Sequence, residues 1–159
     1  MLKTNAMRIL DTAQTEYTAY EYSPTDGIDA VSVAKYIGKP TEQTFKTLVT
    51  QSATEQHGFN YFVFVIPADS ELSVKKAAQA AGVKNIEMIP LKKLLPLTGY
   101  VHGGCSPLGM KKSFPTFIDE TAVLFDTICL SGGKIGLTLE LNAEQLARVI
   151  DANFADLTL

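Results

Sequence analysis

The chain has 159 residues, of which 46% are hydrophobic and 19% charged, so composition alone excludes fibrous, collagen-like and disordered proteins. This length predicts a single domain over residues 1–159. The net charge of −3 argues against a protein that grips a long nucleic acid, and we expect no DNA partner. No apolar run approaches the ~20 residues that span a bilayer, and no secretory signal opens the chain. With two cysteines only, we expect a cytoplasmic protein without a membrane partner.

Cap and turn signals divide the first half of the chain into helices and strands. Thr4 or Asn5 begins a helix, and residues 18–22 alternate like a strand that places Tyr20 and Tyr22 on one face. Asp29 caps a second helix, which ends at Gly38. Strands are predicted over 45–51 and 59–66, with a hairpin turn between them. The second strand is apolar on both faces, which predicts a central, covered position.

The second half of the chain continues this mixture. Ser73 begins a helix that ends at Gly82, followed by a short strand over 85–89 and a helical turn over 91–95. Strands are predicted over 114–119, 125–130 and 137–141, and a last helix begins at Asn142 with Gln145 placed for a capping box. About six or seven strands and four helices, without regular β-α-β alternation, indicate an α+β domain whose mixed sheet curls toward a barrel.

Lys46 and the loop over residues 103–109 are the first candidate site features. Lys46 begins a predicted strand, a place where a lysine is ordinarily a solvated edge residue, so its position alone leaves its role open. In the loop, Gly103 and Gly104 allow positive φ angles and close approach of a ligand to the backbone, while Pro107 fixes the path of the chain. Such a loop can present amides and carbonyls to a substrate, or it can simply connect two strands tightly.

Three other motifs suggest alternative chemistries. The glycine-rich segment 131–136 lacks the Gly-Lys-Ser/Thr ending of a phosphate-binding loop, and a strand pattern follows it, so a hairpin is predicted. Cys105 with His102 could form a thiol hydrolase, although a small buried cysteine is the commoner role. The two histidines and two cysteines have irregular spacing, which does not favour a zinc site, and we expect no cofactor.

Several segments, taken in order, resemble the YbaK/EbsC family, small trans-editing aminoacyl-tRNA deacylases related to the insertion domain of bacterial prolyl-tRNA synthetases. The resemblance covers nearly the whole chain and rests on residues 45–49, 73–78, 83–88, 98–112, 131–137 and 152–156. It implies a curled mixed sheet with surrounding helices. It also implies hydrolysis of the ester between a mischarged amino acid and the 3′-terminal adenosine of tRNA. Cysteine on tRNA-Pro is the best-known substrate, and sister branches remove alanine or other small amino acids.

The resemblance also assigns residue roles. It makes Lys46 the family's essential lysine and places Gly103 at the start of a glycine-x-x-x-proline loop. We expect Lys46 to hold the nucleotide or ester by charge, while the Gly103 and Gly104 backbones orient the aminoacyl group. In the family's mechanism the substrate thiol attacks its own ester, so positioning replaces an enzyme nucleophile. The expected substrate-binding residues are Tyr20, Gly104, Ser106, Pro107, Ser131 and Thr138.

Two positions depart from the family's pattern, and the partner is only implied. Cys105 replaces the usual aliphatic residue, and Thr138 stands where a well-studied member has an aspartate. A net charge of −3 provides little basic surface, so the protein is expected to contact the aminoacyl-tRNA acceptor end while prolyl-tRNA synthetase holds the tRNA body. A deacylase for alanine or serine on tRNA, and a non-catalytic module that binds a nucleotide or a partner, remain open alternatives.

Overall fold

The computed structural model describes residues 2–159 as an α+β unit of five α-helices and eight strands. Its α-helices there have at most eight residues, and none could cross a membrane. Two short 3-10 helices cover Leu91–Lys93 and Glu120–Leu124. The elements are α1 (Asn5–Thr12), β1 (Thr18–Glu21), α2 (Ala30–Ile37), β2 (Phe45–Ala53), β3 (Phe59–Pro67), α3 (Val74–Ala81), β4 (Glu87–Met88), α4 (Leu94–Thr98), β5 (Thr116–Asp119), β6 (Ile128–Ser131), β7 (Leu137–Leu141), α5 (Ala143–Ile150) and β8 (Asn153–Ala155).

The helix ends follow local capping chemistry. The side chain of Thr4 accepts a hydrogen bond from the Met7 N–H at the start of α1, and Asp29, Ser73 and Asn142 cap α2, α3 and α5 in the same way. Side-chain oxygens at these positions satisfy amides that have no partner within the helix. The predicted starts of these helices are therefore confirmed, as are the predicted ends of α2 at Gly38 and α3 at Gly82. The capping box predicted for α5 is incomplete: the Gln145 N–H donates to Asn142, but no bond from the Gln145 side chain returns to Asn142 within residues 2–159.

The strands form two open sheets rather than the predicted single sheet curled toward a barrel. β1, β7 and β6 form an antiparallel sheet in that order, and β4, β2, β3, β5 and β8 form a mixed sheet. One isolated bridge, between Thr44 and Cys129, joins them, and the Cys129 N–H donates to the Gln43 carbonyl at 2.9 Å. The barrel prediction is wrong because the strands pair as two separate sheets. β2 pairs with β3 along its full length, and in residues 2–159 the one bridge from β6 to this region is made by Thr44, just before β2. The strand count is also higher, since β8 pairs with β5 over three residues.

The five-stranded sheet carries packing on both faces, as predicted from the apolar β3. Val65 belongs to the core shared with α1, α5 and the three-stranded sheet. Its neighbours Phe64 and Ile66 face the opposite side and pack in a second cluster with Ala77 of α3. Alternate side chains of one strand thus serve two cores, which fixes the position of β2 and of the residues at its start.

Candidate functional site

A cavity of about 290 Å³ lies where the two sheets meet. The start of β2 forms one wall, and the ends of β6 and β7 contribute the other. The first turn of α2, the segment after β4 and the loop after α4 close the remaining sides, mostly with apolar groups. The lining residues outside β2 include Tyr22, Ile28, Asp29, Val33, Met88, Leu91, Leu94, His102, Gly103, Cys105, Ser131 and Thr138.

The cavity brings together four of the residues expected from sequence. Lys46, Gly103, Ser131 and Thr138 come from distant parts of the chain, and all line it. The other four expected residues do not line it: Tyr20, Gly104, Ser106 and Pro107. The expected set therefore divides into residues that border the cavity and residues whose surroundings suggest other roles.

Lys46 lines this cavity without a partner among residues 2–159. Within residues 2–159 its ammonium makes no hydrogen bond or ion pair, although it begins a strand inside a packed sheet. The neighbouring Thr47 has a buried hydroxyl that likewise finds no hydrogen-bond partner in the described chain. Buried polar groups are ordinarily satisfied, so this part of the wall offers a cation and a hydroxyl to a bound ligand.

Tyr22, which the sequence analysis did not select, contributes a hydroxyl to the opposite wall. Its oxygen lies 3.1 Å from Thr138 Oγ1, and its ring stacks on Tyr36 with centroids 5.3 Å apart. Burial raises the pKa of Tyr22, so the phenol is neutral at physiological pH. The alternation over residues 18–22 placed Tyr20 and Tyr22 on one face and could have found it.

Tyr20 lies beside the cavity in a polar cluster centred on Glu140. The Tyr20 hydroxyl donates to Glu140 Oε1 at 2.5 Å, while Thr127 and Lys39 donate to Glu140 Oε2 at 2.5 and 3.1 Å. Desolvation raises the pKa of Glu140, but the three hydrogen bonds and the charge of Lys39 together outweigh it and hold that pKa below its ordinary value. The hydroxyl of Tyr20 therefore takes part in a hydrogen-bond cluster that links β1, β7 and the residue before β6.

Some residues of the glycine loop line the cavity, and others make hydrogen bonds that stabilise the loop. Gly103 has φ +87°, and a Cβ there would lie 2.7 Å from Ile28 Cδ1 in the cavity wall. The Gly104 N–H donates to the Val101 carbonyl at 3.0 Å, so it is not free to bind a substrate. Ser106 is fully buried, and its hydroxyl accepts from the Leu108 N–H. Of the two glycines, Gly103 is consequently the one that borders the ligand space.

Cys105 and His102 both line the cavity but do not form a catalytic pair. No hydrogen bond joins them within residues 2–159, and burial raises the pKa of the Cys105 thiol to about 12. The thiolate is the nucleophilic form of cysteine, and it is scarce at neutral pH with such a pKa. The site therefore gives no support to the thiol-hydrolase alternative. No group of three or more histidine, cysteine or acidic residues in the described chain could hold a metal ion.

Known proteins share both the sequence and the fold of this chain. It is 42% identical over 157 residues to EbsC of Enterococcus faecalis, a proposed Cys-tRNA(Pro)/Cys-tRNA(Cys) deacylase, covering 98% of this chain and 93% of that protein. It is also 29% identical to a proline–tRNA ligase of Cupriavidus necator over 98 residues, which are 61% of this chain and 17% of the ligase.

Solved structures and a family model agree on the fold. A proposed trans-editing enzyme for prolyl-tRNA synthetase superposes with a TM-score of 0.80 at 22% identity, covering 100% of this chain and 99% of the other. The hypothetical protein APE2540 superposes with a TM-score of 0.86 at 20% identity, covering 98% and 100%. The model of the aminoacyl-tRNA editing domain matches residues 25–149, a range that contains Lys46, Gly103, Ser131 and Thr138. The chain thus belongs to the aminoacyl-tRNA editing domain family.

Proposed function

We propose that this protein is an aminoacyl-tRNA deacylase that edits mischarged tRNA in trans, with Cys-tRNA(Pro) as its preferred substrate. The observation that carries the proposal is a mostly apolar cavity lined by both Lys46 and Gly103, in which, within residues 2–159, Lys46 has no ion pair and no activated nucleophile is present. The full-length likeness to EbsC supports the same substrate class. A site of this kind fits a reaction whose nucleophile belongs to the substrate.

The proposed reaction needs positioning more than it needs an enzyme nucleophile. The cysteine thiol of the substrate attacks its own ester carbonyl, a C–S bond forms as the C–O bond breaks, and the thiol proton passes to the departing ribose oxygen. The products are a cyclic thioester and free tRNA. Correct placement alone can lower such a barrier by roughly 7–11 kcal/mol. Water is poorly accommodated by the apolar wall, which favours internal attack over hydrolysis.

Lys46 and Gly103 have distinct roles in this proposal. The Lys46 ammonium binds the 3′-terminal nucleotide or the ester oxygens by charge, which accounts for its lack of an ion pair with any carboxylate in residues 2–159. The Gly103 backbone approaches the aminoacyl group closely because no side chain stands there. Ser131 and Thr138 supply hydroxyls on the facing wall. The aminoacyl-tRNA acceptor end is then the ligand, and prolyl-tRNA synthetase is the proposed partner that holds the tRNA body.

The test is release of labelled amino acid from Cys-tRNA(Pro), Ala-tRNA(Pro) and Ser-tRNA(Pro) by wild type and Lys46→Ala. We expect rapid loss of cysteine that Lys46→Ala abolishes, and Lys75→Ala, which removes an exposed lysine from α3, to behave as wild type. Release of alanine or serine instead would keep the reaction class and reject the thiol-assisted step. Absence of release from all three substrates would favour the non-catalytic binding module.

A further inference from the structure

A cluster of partly exposed aromatic rings with a lysine over it lies outside the cavity. Phe59 and Tyr61, at the start of β3, have centroids 6.5 Å apart, and Phe114 meets Tyr61 edge-on at 5.7 Å. The Lys93 ammonium lies 4.4 Å from the Phe59 centroid and 4.9 Å from that of Tyr61. Phe59, the first residue after the β2–β3 turn, is 40% exposed, and the turn itself does not need a large side chain at this position. We call these four residues the aromatic platform.

The platform lies on the face of the five-stranded sheet that also contributes Thr47 and Val49 to the cavity. Thr47, Val49 and Gln51 alternate along β2, so their side chains lie on the same face, and the first two line the cavity. The Gln51 side chain accepts a hydrogen bond from Lys93 at 2.8 Å, which fixes the platform at the far end of this row. Four residues of strand cover about 13 Å, a distance that a few single-stranded nucleotides can follow.

The segment between β4 and α4 also connects the two places. Leu91 and Leu94 line the cavity, while the intervening Lys93 lies over the platform. One short stretch of chain therefore forms the rim that separates the ligand space from the exposed rings. A ligand longer than the cavity would cross this rim.

Lysines lie on this rim and at the far end of α4, although the protein as a whole is acidic. Lys92 and Lys93 belong to this rim, just before α4. Lys111 and Lys112 lie at the other end of α4, where the Lys111 N–H donates to the Thr98 carbonyl. None of these four lysines pairs with a carboxylate in residues 2–159. One carboxylate, that of Glu87, touches the platform's support by accepting from the Gln51 amide. The balance of charge at this rim favours an anionic ligand.

We infer that the aromatic platform binds the single-stranded 3′ nucleotides of tRNA that precede the terminal adenosine, and this inference rests on the proposed function. Aromatic side chains stack on bases of any sequence, and lysines neutralise the phosphates between them. Lys93 moves from the rings to a phosphate as bases stack on Phe59 and Tyr61. This arrangement gives a protein of net negative charge a local hold on the acceptor end.

The experiment compares two substrates that carry the same aminoacyl ester, one on full-length tRNA and one on adenosine alone. The variants are Phe59→Ala and Lys93→Gln, with Leu124→Ala and Lys75→Ala as controls that remove an exposed apolar group and an exposed lysine elsewhere. We expect each platform variant to raise KM for the tRNA about tenfold, leaving kcat and turnover of the adenosine ester unchanged. Circular dichroism checks that each variant is folded.

The other outcomes separate this inference from the proposed function. An unchanged KM for tRNA in folded platform variants overturns the inference while leaving the deacylase intact. A defect seen only when prolyl-tRNA synthetase is present also overturns it, because the platform then contacts the synthetase. If wild type turns over neither substrate, the proposed function itself fails.

Discussion

Gly104 and Ile135 touch without room for a side chain: a Cβ on Gly104 would lie 2.9 Å from the Ile135 backbone nitrogen. The glycine loop after α4 and the hairpin between β6 and β7 are therefore packed backbone against backbone. Since Gly103 borders the cavity next to this contact, the contact sets how far the loop projects toward the ligand space.

Gly104→Ala is expected to destabilise the protein by about 1–3 kcal/mol, because the obstructing atom belongs to backbone and cannot rotate away. Thermal unfolding of the variant measures this loss. Gly58→Ala is the matched control, since its Cβ would meet only the Thr54 hydroxyl at 3.6 Å. Equal melting temperatures for the two variants would contradict the close contact.

The hydroxyl pair in the cavity wall is expected to show energetic coupling. Tyr22→Phe and Thr138→Val each remove one partner of the 3.1 Å hydrogen bond and leave the other hydroxyl without a hydrogen-bond partner in residues 2–159. Each change should cost about 1 kcal/mol, and the double variant should cost less than the sum. Urea unfolding of the four proteins gives the coupling energy, and strict additivity would show that the hydroxyls do not interact.

Glu140→Gln should lower stability by about 1–3 kcal/mol at pH 7, because it removes the ionised acceptor that Tyr20, Thr127 and Lys39 share. The folded pKa of Glu140 lies below its ordinary 4.5, so its contribution is complete above that pH and is lost as the pH falls through the folded value. The difference from wild type should narrow accordingly below pH 4.5 in urea titrations. Glu144→Gln, on the exposed side of α5, should show neither effect.

Alkylation by iodoacetamide tests the state of the two thiols. Burial raises the pKa of Cys105 and of Cys129 to about 12, so at pH 8 roughly one thiol in ten thousand is ionised. Both cysteines should react far more slowly in the folded protein than in urea, as followed by mass spectrometry. Rapid labelling of Cys105 in the folded protein would revive the thiol-hydrolase alternative.

The sequence was sufficient to predict the features that depend on interactions between residues close together in the chain. The caps at Thr4 and Asp29 and the alternating burial of β3 depend on neighbours within a few residues, and the structure confirms them. β8 was missed because its three residues are held by parallel pairing with the distant β5. Tyr20 was expected in the pocket from the family resemblance. Although Tyr20 is the register partner of Thr138, its hydroxyl turns to Glu140, and the hydroxyl of Tyr22 meets Thr138 instead. Which way each ring turns depends on partners in distant strands, which the local sequence pattern does not reveal.

The single bridge between Thr44 and Cys129 has a consequence for how substrate range can change. Lys46 belongs to one sheet, whereas Ser131 and Thr138 belong to the other, so the width of the ligand space depends on this joint. Substitutions around the joint can therefore widen or narrow the space while the groups that line it stay the same. If the proposed function holds, selectivity for one amino acid over another depends on the distance between the two sheets. That distance can change while the residues that take part in the reaction are conserved in identity.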